Sequence, residues 1–325
     1  MTDAAVRDGP RPARRRRDVD GIVLLDKPAG LSSNQVLQRV RRLLGAAKAG
    51  HAGTLDPIAT GMLPLCFGQA TKACGQLLGA SKAYRAVLVL GRETDTGDAA
   101  GTVTKDAAVP PLASAAVDLA LQKLVGGKDQ VPPMYSALKH QGRRLYELAR
   151  RGEDIPRAAR RITIERLTLV RHGPRDLEFE VVCSKGTYVR VLGAEIAAAL
   201  GTVGHLSALR RLWIEPFAAE DMVTLETIEQ WAGHDGGAED RPCWLRPVDL
   251  AFHQLPRLDL DRVQSLHLRQ GREISVPEVP AGAARARAYG PDGRFLGLVV
   301  PTGGDRVRVE RLYVPGASAA KPDQT

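Results

Sequence analysis

The alternation of apolar and polar positions divides the chain into short elements. The run Gly21-Ile22-Val23-Leu24-Leu25, closed by Asp26-Lys27-Pro28-Ala29-Gly30, predicts a buried strand ending in a turn. Beyond it, Val36, Leu37, Val40, Leu43 and Leu44 form one stripe at helical spacing, with Ser32 or Ser33 as cap and Gly45 at the left-handed C-terminal position. Arg39, Arg41 and Arg42 on the other face read either as a solvated face or as phosphate ligands. Residues 84–91 predict a strand, 92–101 a Thr/Asp/Gly-rich loop and 115–124 a helix. Residues 162–170 and 177–182 alternate as neighbouring antiparallel strands, with Glu178 and Glu180 on one face. After a turn at Ser184-Lys185-Gly186, period two over 187–191 puts Tyr188 and Arg190 on one side of a strand, and a helix follows over 193–200. Strands at 285–289, 295–300 and 306–312, the first two joined by Gly290-Pro291-Asp292-Gly293, define a small β-rich unit. Strand runs mixed with separate helices, and no β-α-β repeat, give an α+β class: a mixed, largely antiparallel central sheet flanked by helices, with a small C-terminal β-rich domain.

Composition narrows this little. With 325 residues, 44% apolar and 26% charged, the chain can bury a large core plus a companion domain. It has neither a membrane-spanning apolar run nor a secretory leader pattern, so a soluble protein is expected. Cys66, Cys74, Cys183 and Cys243 lie far apart without a Cys-x-x-Cys pair, which fits a reducing cytoplasm and argues against a zinc knuckle.

Charge points to a partner. The formal net charge is +9, from 46 basic and 37 acidic residues, and that sign suits a polyanion whose counterions are released on binding. Six Arg and two Asp within residues 1–17 carry +4 of it, in a segment with Pro10 and Pro12 and no hydrophobic period. Residues 1–19 therefore read as a disordered basic tail, either adding nonspecific nucleic-acid affinity or only conferring solubility. A second basic stretch opens with Pro132-Pro133, which break regular structure. It continues through Tyr135, Lys139, Arg143, Arg144 and Tyr146 to a short helix ending near Arg151-Gly152. Rings interleaved with cations suit stacked bases and phosphates.

The candidate chemistry lies in residues 50–64, where three glycines, two prolines, His51 and Asp56 make a stretch too irregular for a strand or helix and too apolar for a solvated linker. Pro57 pushes Asp56 toward extended backbone, so its carboxylate projects from the loop. Two readings stay open: an Asp that hydrogen-bonds its own loop, or a catalytic carboxylate. The second needs a nearby cation, because desolvation alone would keep the group protonated. Arg190 is the candidate, and chain order does not establish the contact. A lone His such as His51 reads as a satisfied structural residue.

The run His51-Ala52-Gly53-Thr54-Leu55-Asp56-Pro57-Ile58-Ala59-Thr60-Gly61-Met62-Leu63-Pro64, with Asp26-Lys27-Pro28-Ala29-Gly30-Leu31-Ser32-Ser33, Lys82-Ala83-Tyr84-Arg85 and Lys185-Gly186-Thr187-Tyr188-Val189-Arg190, closely resembles the bacterial tRNA pseudouridine-55 synthases of the TruB family. The four motifs occur in the family's order, and the likeness runs from about residue 20 into the C-terminal domain, leaving the Arg-rich tail outside it. The resemblance implies an enzyme that isomerises uridine 55 in the T-loop of tRNA, with no metal or other cofactor, acting as a monomer without a membrane. It implies Asp56 as the catalytic carboxylate, Arg190 as its partner, and Tyr84 stacked on the flipped base. Tyr188 and Leu209 would line the pocket, Lys27 would brace the loop, and His51 would wedge into the vacated stack. It further implies a catalytic domain over 20–250, an RNA-gripping insertion near 130–155 that supplies Lys139, Arg143 and Arg144, and a PUA-like RNA-binding domain over 255–315. Two rivals follow from the same residues. One is a tRNA-folding factor with catalysis secondary or absent. The other is a carboxylate-dependent glycoside hydrolase drawing a second acid from Asp95 or Asp98.

Overall fold

The computed structural model describes residues 18–233, 241–277 and 282–313, so the Arg-rich segment 1–17 lies outside the described residues. In chain order the strands are β1 Gly21–Lys27, β2 Ala49–His51, β3 Thr60–Phe67, β4 Lys82–Leu90, β5 Arg92–Thr94, β6 Val103–Asp106, β7 Gly126–Gln130, β8 Lys139–His140, β9 Arg143–Arg144, β10 Arg160–His172, β11 Asp176–Cys183, β12 Gly204–Ile214, β13 Val223–Thr224, β14 Leu245–Arg246, β15 Arg257–Asp259, β16 Ile274–Ser275, β17 Ala286–Tyr289, β18 Phe295–Gly303 and β19 Arg306–Leu312. The helices are α1 Ser33–Leu44, α2 Cys74–Leu78, α3 Ser114–Gln122, α4 Leu145–Ala149, α5 Val189–Ala199, α6 Leu225–Gly233 and α7 Arg262–Arg269.

A ten-stranded sheet runs β13-β1-β3-β12-β4-β11-β10-β7, with β14 added to β1 and β2 to β3. The β1–β13 and β3–β12 pairs are parallel and the other pairs of this sheet antiparallel, giving the mixed, largely antiparallel α+β fold that the sequence predicts. Its middle explains why β1 reads as an unbroken apolar run. Val23 and Leu25 face the core under α1, beside Val36 and Val40, while Ile22 and Leu24 face a second core with Phe252, Leu298 and Tyr313. A strand covered on both sides has no polar face to alternate.

The cap of α1 follows from its sequence: Ser32 accepts from the Gln35 amide while the Gln35 side chain accepts from the Ser32 amide, and Gly45 closes the far end in the left-handed region. Among the three arginines of α1, Arg39 pairs with Glu229, and Arg41 donates to the carbonyls of Ala46 and Ala47. The C-terminal five-stranded sheet, ordered β15-β17-β18-β19-β16, carries its own small core of Leu258, Leu268, Leu296, Val299 and Val307.

Two sequence expectations are corrected. Residues 187–191 are not a strand: α5 begins at Val189, so Tyr188 is its N-cap and Arg190 lies in its first turn, and the helix predicted from 193 starts four residues earlier. Val189-Arg190-Val191 reads as a strand because apolar and charged side chains alternate along it, yet Val189 and Arg190 are both buried in the helix. The 50–64 segment is also less irregular than predicted, since β2 takes His51 and β3 takes Thr60–Pro64 into the sheet, and only residues 52–59 are loop. Pro64 is accommodated within β3, opposite Leu24.

Gly61 shows what the motif's glycines do. It has φ +95°, and a Cβ there would lie 2.1 Å from the Arg211 carbonyl oxygen, so the close parallel contact of β3 with β12 requires its absence. Gly61→Ala is expected to lower unfolding free energy by on the order of 3 kcal/mol, from backbone strain plus overpacking, measurable by urea denaturation.

Candidate active site

The loop that carries Asp56 is pinned from several sides. Ser33, buried at the start of α1, donates through Oγ to the Leu55 carbonyl (3.0 Å) and accepts from the Leu55 amide (2.8 Å). The Lys27 ammonium, fully buried at the end of β1, donates to the carbonyls of Ala59 (2.7 Å), Pro28 (2.8 Å) and Pro57 (3.4 Å). Gly30 N–H donates to the Pro57 carbonyl as well. From the other side Arg211, 1% exposed on β12, donates through Nε to Met62 O (2.7 Å) and through Nη2 to Gly53 O (2.9 Å). A Cβ on Gly53 would come within 3.2 Å of that guanidinium. Leu55 is buried and Pro57 restricts the backbone, so Asp56 is presented from a frame with little freedom.

Arg190 meets Asp56, its Nε lying 2.9 Å from Asp56 Oδ2. The two partners differ in access: the Arg190 side chain is 5% exposed and that of Asp56 34%, so the carboxylate is open to a ligand while its cation is not. The rest of the guanidinium is satisfied by the carbonyls of Thr96 and Tyr135. Asp98 Oδ2 lies 3.7 Å from the same Nε, so one buried cation faces two carboxylates. Burial pushes the Asp56 carboxyl above its usual range, the Arg190 charge opposes that, and Asp98 adds to it.

Tyr84, on β4, is buried beside Leu209 of β12 in the core under the loop, with the Arg211 guanidinium 6.0 Å from its ring centre. Burial raises its phenol pKa, so the hydroxyl stays protonated across the physiological range. Tyr188 is half-buried at the N-cap of α5, and its phenol is likewise raised by burial. His51 is half-buried on β2 with Nδ1 unpartnered; burial first, then the charges of Arg211 and Arg144, lower its pKa, which favours the neutral ring. In the insertion, β8 and β9 form a hairpin that leaves Arg143 and Arg144 exposed; the Lys139 side chain lies outside the described residues.

The structure thus gathers Asp56, Arg190, Lys27, Tyr84, Tyr188 and Leu209 around one loop, with His51 at the adjoining strand. Sequence reasoning missed the loop-holding contacts of Arg211 and Ser33 and the contact of Asp98 with Arg190. A cation amid apolar neighbours, such as Arg211 in Leu209-Arg210-Arg211-Leu212-Trp213, was the available signal. Asp98 reads as a turn former because it is one: it accepts from Thr96 Oγ1 (2.7 Å) and the Ala100 amide (3.0 Å). Asp95 is tied to the Thr102 amide and Tyr135 Oη, and Asp98 is 5% exposed, so neither stands as a free acid at the loop. Among the described residues no group of side chains has the composition of a metal site, and no helix is long and apolar enough to cross a membrane.

Comparison with known proteins places this fold. A chain in the solved Cbf5-Nop10-Gar1 complex superposes with a TM-score of 0.68 at 25% identity, over 91% of this chain and 85% of that one. A chain in the structure of an H/ACA RNP bound to a substrate RNA containing 2'-deoxyuridine does so at 0.67 and 22% identity, over 94% and 93%. The tRNA pseudouridine synthase B of Chromohalobacter salexigens is 47% identical over 95% of this chain and 100% of its own length, and that of Aromatoleum aromaticum 48% over 94% and 96%. The fold is that of the pseudouridine synthases, isomerases that convert uridine in RNA to its carbon-linked isomer. Within that class the chain belongs to the TruB family: the TruB family pseudouridylate synthase (N terminal domain) model matches residues 41–189, and the tRNA pseudouridylate synthase B C-terminal domain model matches 190–253. The boundary between the two matches falls inside the first turn of α5, so the Asp56–Arg190 pair joins one matched segment to the other.

The buried lysines give a pH signature. Burial lowers Lys27 and Lys82 from 10.5 to about 8 each. Between about pH 8 and 10.5 the folded state has released these protons and the unfolded state still holds them, so unfolding takes up protons and raising the pH favours the fold. Unfolding free energy, measured by urea titration, is expected to rise across that window, and Lys27→Met to flatten part of the rise.

Proposed function

We propose that the protein isomerises uridine 55 in the T-loop of tRNA to pseudouridine, with Asp56 as the catalytic carboxylate. The observation that carries this reading is the ion pair of a partly exposed carboxylate with a buried guanidinium whose two terminal nitrogens each donate to a backbone carbonyl. The names of the relatives supply tRNA as the substrate class.

The geometry suits the chemistry. A uridine inside a folded loop is inaccessible and must be extruded, at a cost of a few kcal/mol that stacking and pocket contacts return. The neutral imidazole of His51 fits the vacated stack, where a flat ring is wanted more than a charge. The extruded base stacks on Tyr84, with Leu209 and Tyr188 closing the apolar wall. Asp56 acts at the glycosidic bond: N1–C1′ breaks, the base turns, C5 bonds to C1′, the proton displaced from C5 leaves and N1 takes one up, so the product is an isomer with no net gain or loss of atoms. That role needs the carboxylate ionised, which Arg190 and the nearby Lys27 ammonium favour against burial.

The insertion near 130–155 then grips the T-arm, presenting Arg143 and Arg144 with Lys139 in the same hairpin. Residues 255–315 act as a PUA-like RNA-binding domain, in which β19 exposes Arg306, Arg308 and Arg311. The protein acts as a monomer, in the cytoplasm where tRNA is found.

A T-arm hairpin incubated with the purified protein is expected to acquire pseudouridine at the position equivalent to 55, without release of free uracil, as read by mapping the modified nucleotide. Asp56→Asn is expected to bring product below detection while hairpin affinity stays within a few-fold of wild type. Full turnover by that variant overturns the assignment. A tRNA-refolding assay with Asp56→Asn separates any folding activity from catalysis.

A further inference from the structure

The edge strand β7 is joined to α5 by polar side chains in a way the reaction described above does not use. Along β7, Lys128 and Gln130 point to the same side, toward α5, while Gly127 and Asp129 point out. Lys128 pairs with Glu195 two turns into the helix. Gln130, 3% exposed, makes a two-bond clamp on the backbone of a single residue: Tyr188 N–H donates to its Oε1 (2.8 Å), and its Nε2 donates to the Tyr188 carbonyl (3.3 Å). Tyr188 is the N-cap of α5, and no side chain caps that helix from the usual position. Two residues further on is Arg190. Gln130 is also the last residue of β7 before the proline-led excursion, and five residues later the Tyr135 carbonyl accepts from Arg190 Nη2 (2.6 Å). The root of the excursion therefore holds the start of α5 at two points, one on the backbone of Tyr188 and one on the guanidinium that pairs with Asp56.

We propose that Gln130 is a positioning residue for the Asp56–Arg190 pair: its amide fixes the N-terminus of α5, and so the placement of the Arg190 guanidinium, against the root of the RNA-gripping excursion. The inference rests on the reading of Asp56 as the catalytic carboxylate. An amide suits this position because it offers one acceptor and one donor side by side, matching the N–H and C=O of one residue. Removing it leaves the Tyr188 N–H without its acceptor, while the carbonyl keeps only the Leu192 amide of the helix itself (3.1 Å), so the first turn of α5 loses its tie to β7. A displacement of about 1 Å in a catalytic group is enough to cost on the order of 100-fold in rate.

Gln130→Met keeps the volume and removes both hydrogen bonds. With the full-length protein and a T-arm hairpin, the single-turnover rate at saturating RNA is expected to fall at least tenfold, with hairpin affinity within threefold of wild type. Amide hydrogen exchange over 188–192 is expected to quicken in the same variant. Gln130→Glu gives a readout that a purely structural role would not move. Its protonated carboxyl reproduces the acceptor and donor of the amide, whereas the carboxylate confronts the Tyr188 carbonyl. The charged and titratable groups around it are Arg160 on the paired β10, Tyr188 and Arg190 on α5, and the Lys128–Glu195 pair. The rate of Gln130→Glu relative to wild type is therefore expected to decline as pH rises from 5.5 to 8.5. A wild-type rate in Gln130→Met, a pH-independent ratio for Gln130→Glu, or unchanged exchange over 188–192 overturns the proposal. An inactive wild-type protein counts against the proposed function instead, and the exchange measurement still decides the clamp.

Discussion

The ion pair between Asp56 and Arg190 is the contact on which the rest of the site depends. A carboxylate among apolar neighbours takes up a proton unless a cation stands beside it, and a guanidinium withdrawn from water needs acceptors for its remaining donors. Both needs are met at once. Arg190 gives its terminal nitrogens to the Thr96 and Tyr135 carbonyls and leaves Nε for Asp56, so the charge is held by groups that cannot themselves titrate. Truncating the arginine would strand a partly desolvated carboxylate, and truncating the aspartate would leave a buried cation facing only Asp98.

The loop around Asp56 is built on the same logic of backbone satisfaction. Lys27, Ser33 and Arg211 all bond to main-chain carbonyls or amides of the 53–62 region rather than to other side chains. Short polar contacts to the main chain hold a non-repetitive segment as firmly as a sheet ladder does, and they leave the one outward carboxylate unencumbered. The cost is visible in the lysines, whose buried ammonium groups are held near the edge of deprotonation.

Much of this was legible in the sequence, for identifiable reasons. The helix α1 announced itself through its stripe and both caps, and β10, β11 and the C-terminal hairpin through alternation and turn residues, because these signals are local. Asp56 stood out because an ionised group is costly to desolvate in so apolar and glycine-rich a stretch, and the ordered motifs assigned it a role. Tertiary facts were illegible. Arg211 and Ser33 act through contacts 149 and 22 residues away in the chain, and their local sequence does not name those partners. The helix start at Val189 was misread as strand because the apolar–charged–apolar order of Val189-Arg190-Val191 imitates a strand, although Arg190 is buried like Val189.

The double burial of β1 has a further consequence for how the molecule is put together. Its odd positions belong to the core beneath α1 and its even positions to the core shared with Phe252, Leu298 and Tyr313, so the C-terminal unit is not an appendage tethered beside a finished enzyme. It serves as the wall on the far side of the strand that ends in Lys27. A lineage that exchanged this module for another would have to rebuild the reverse face of its own catalytic sheet.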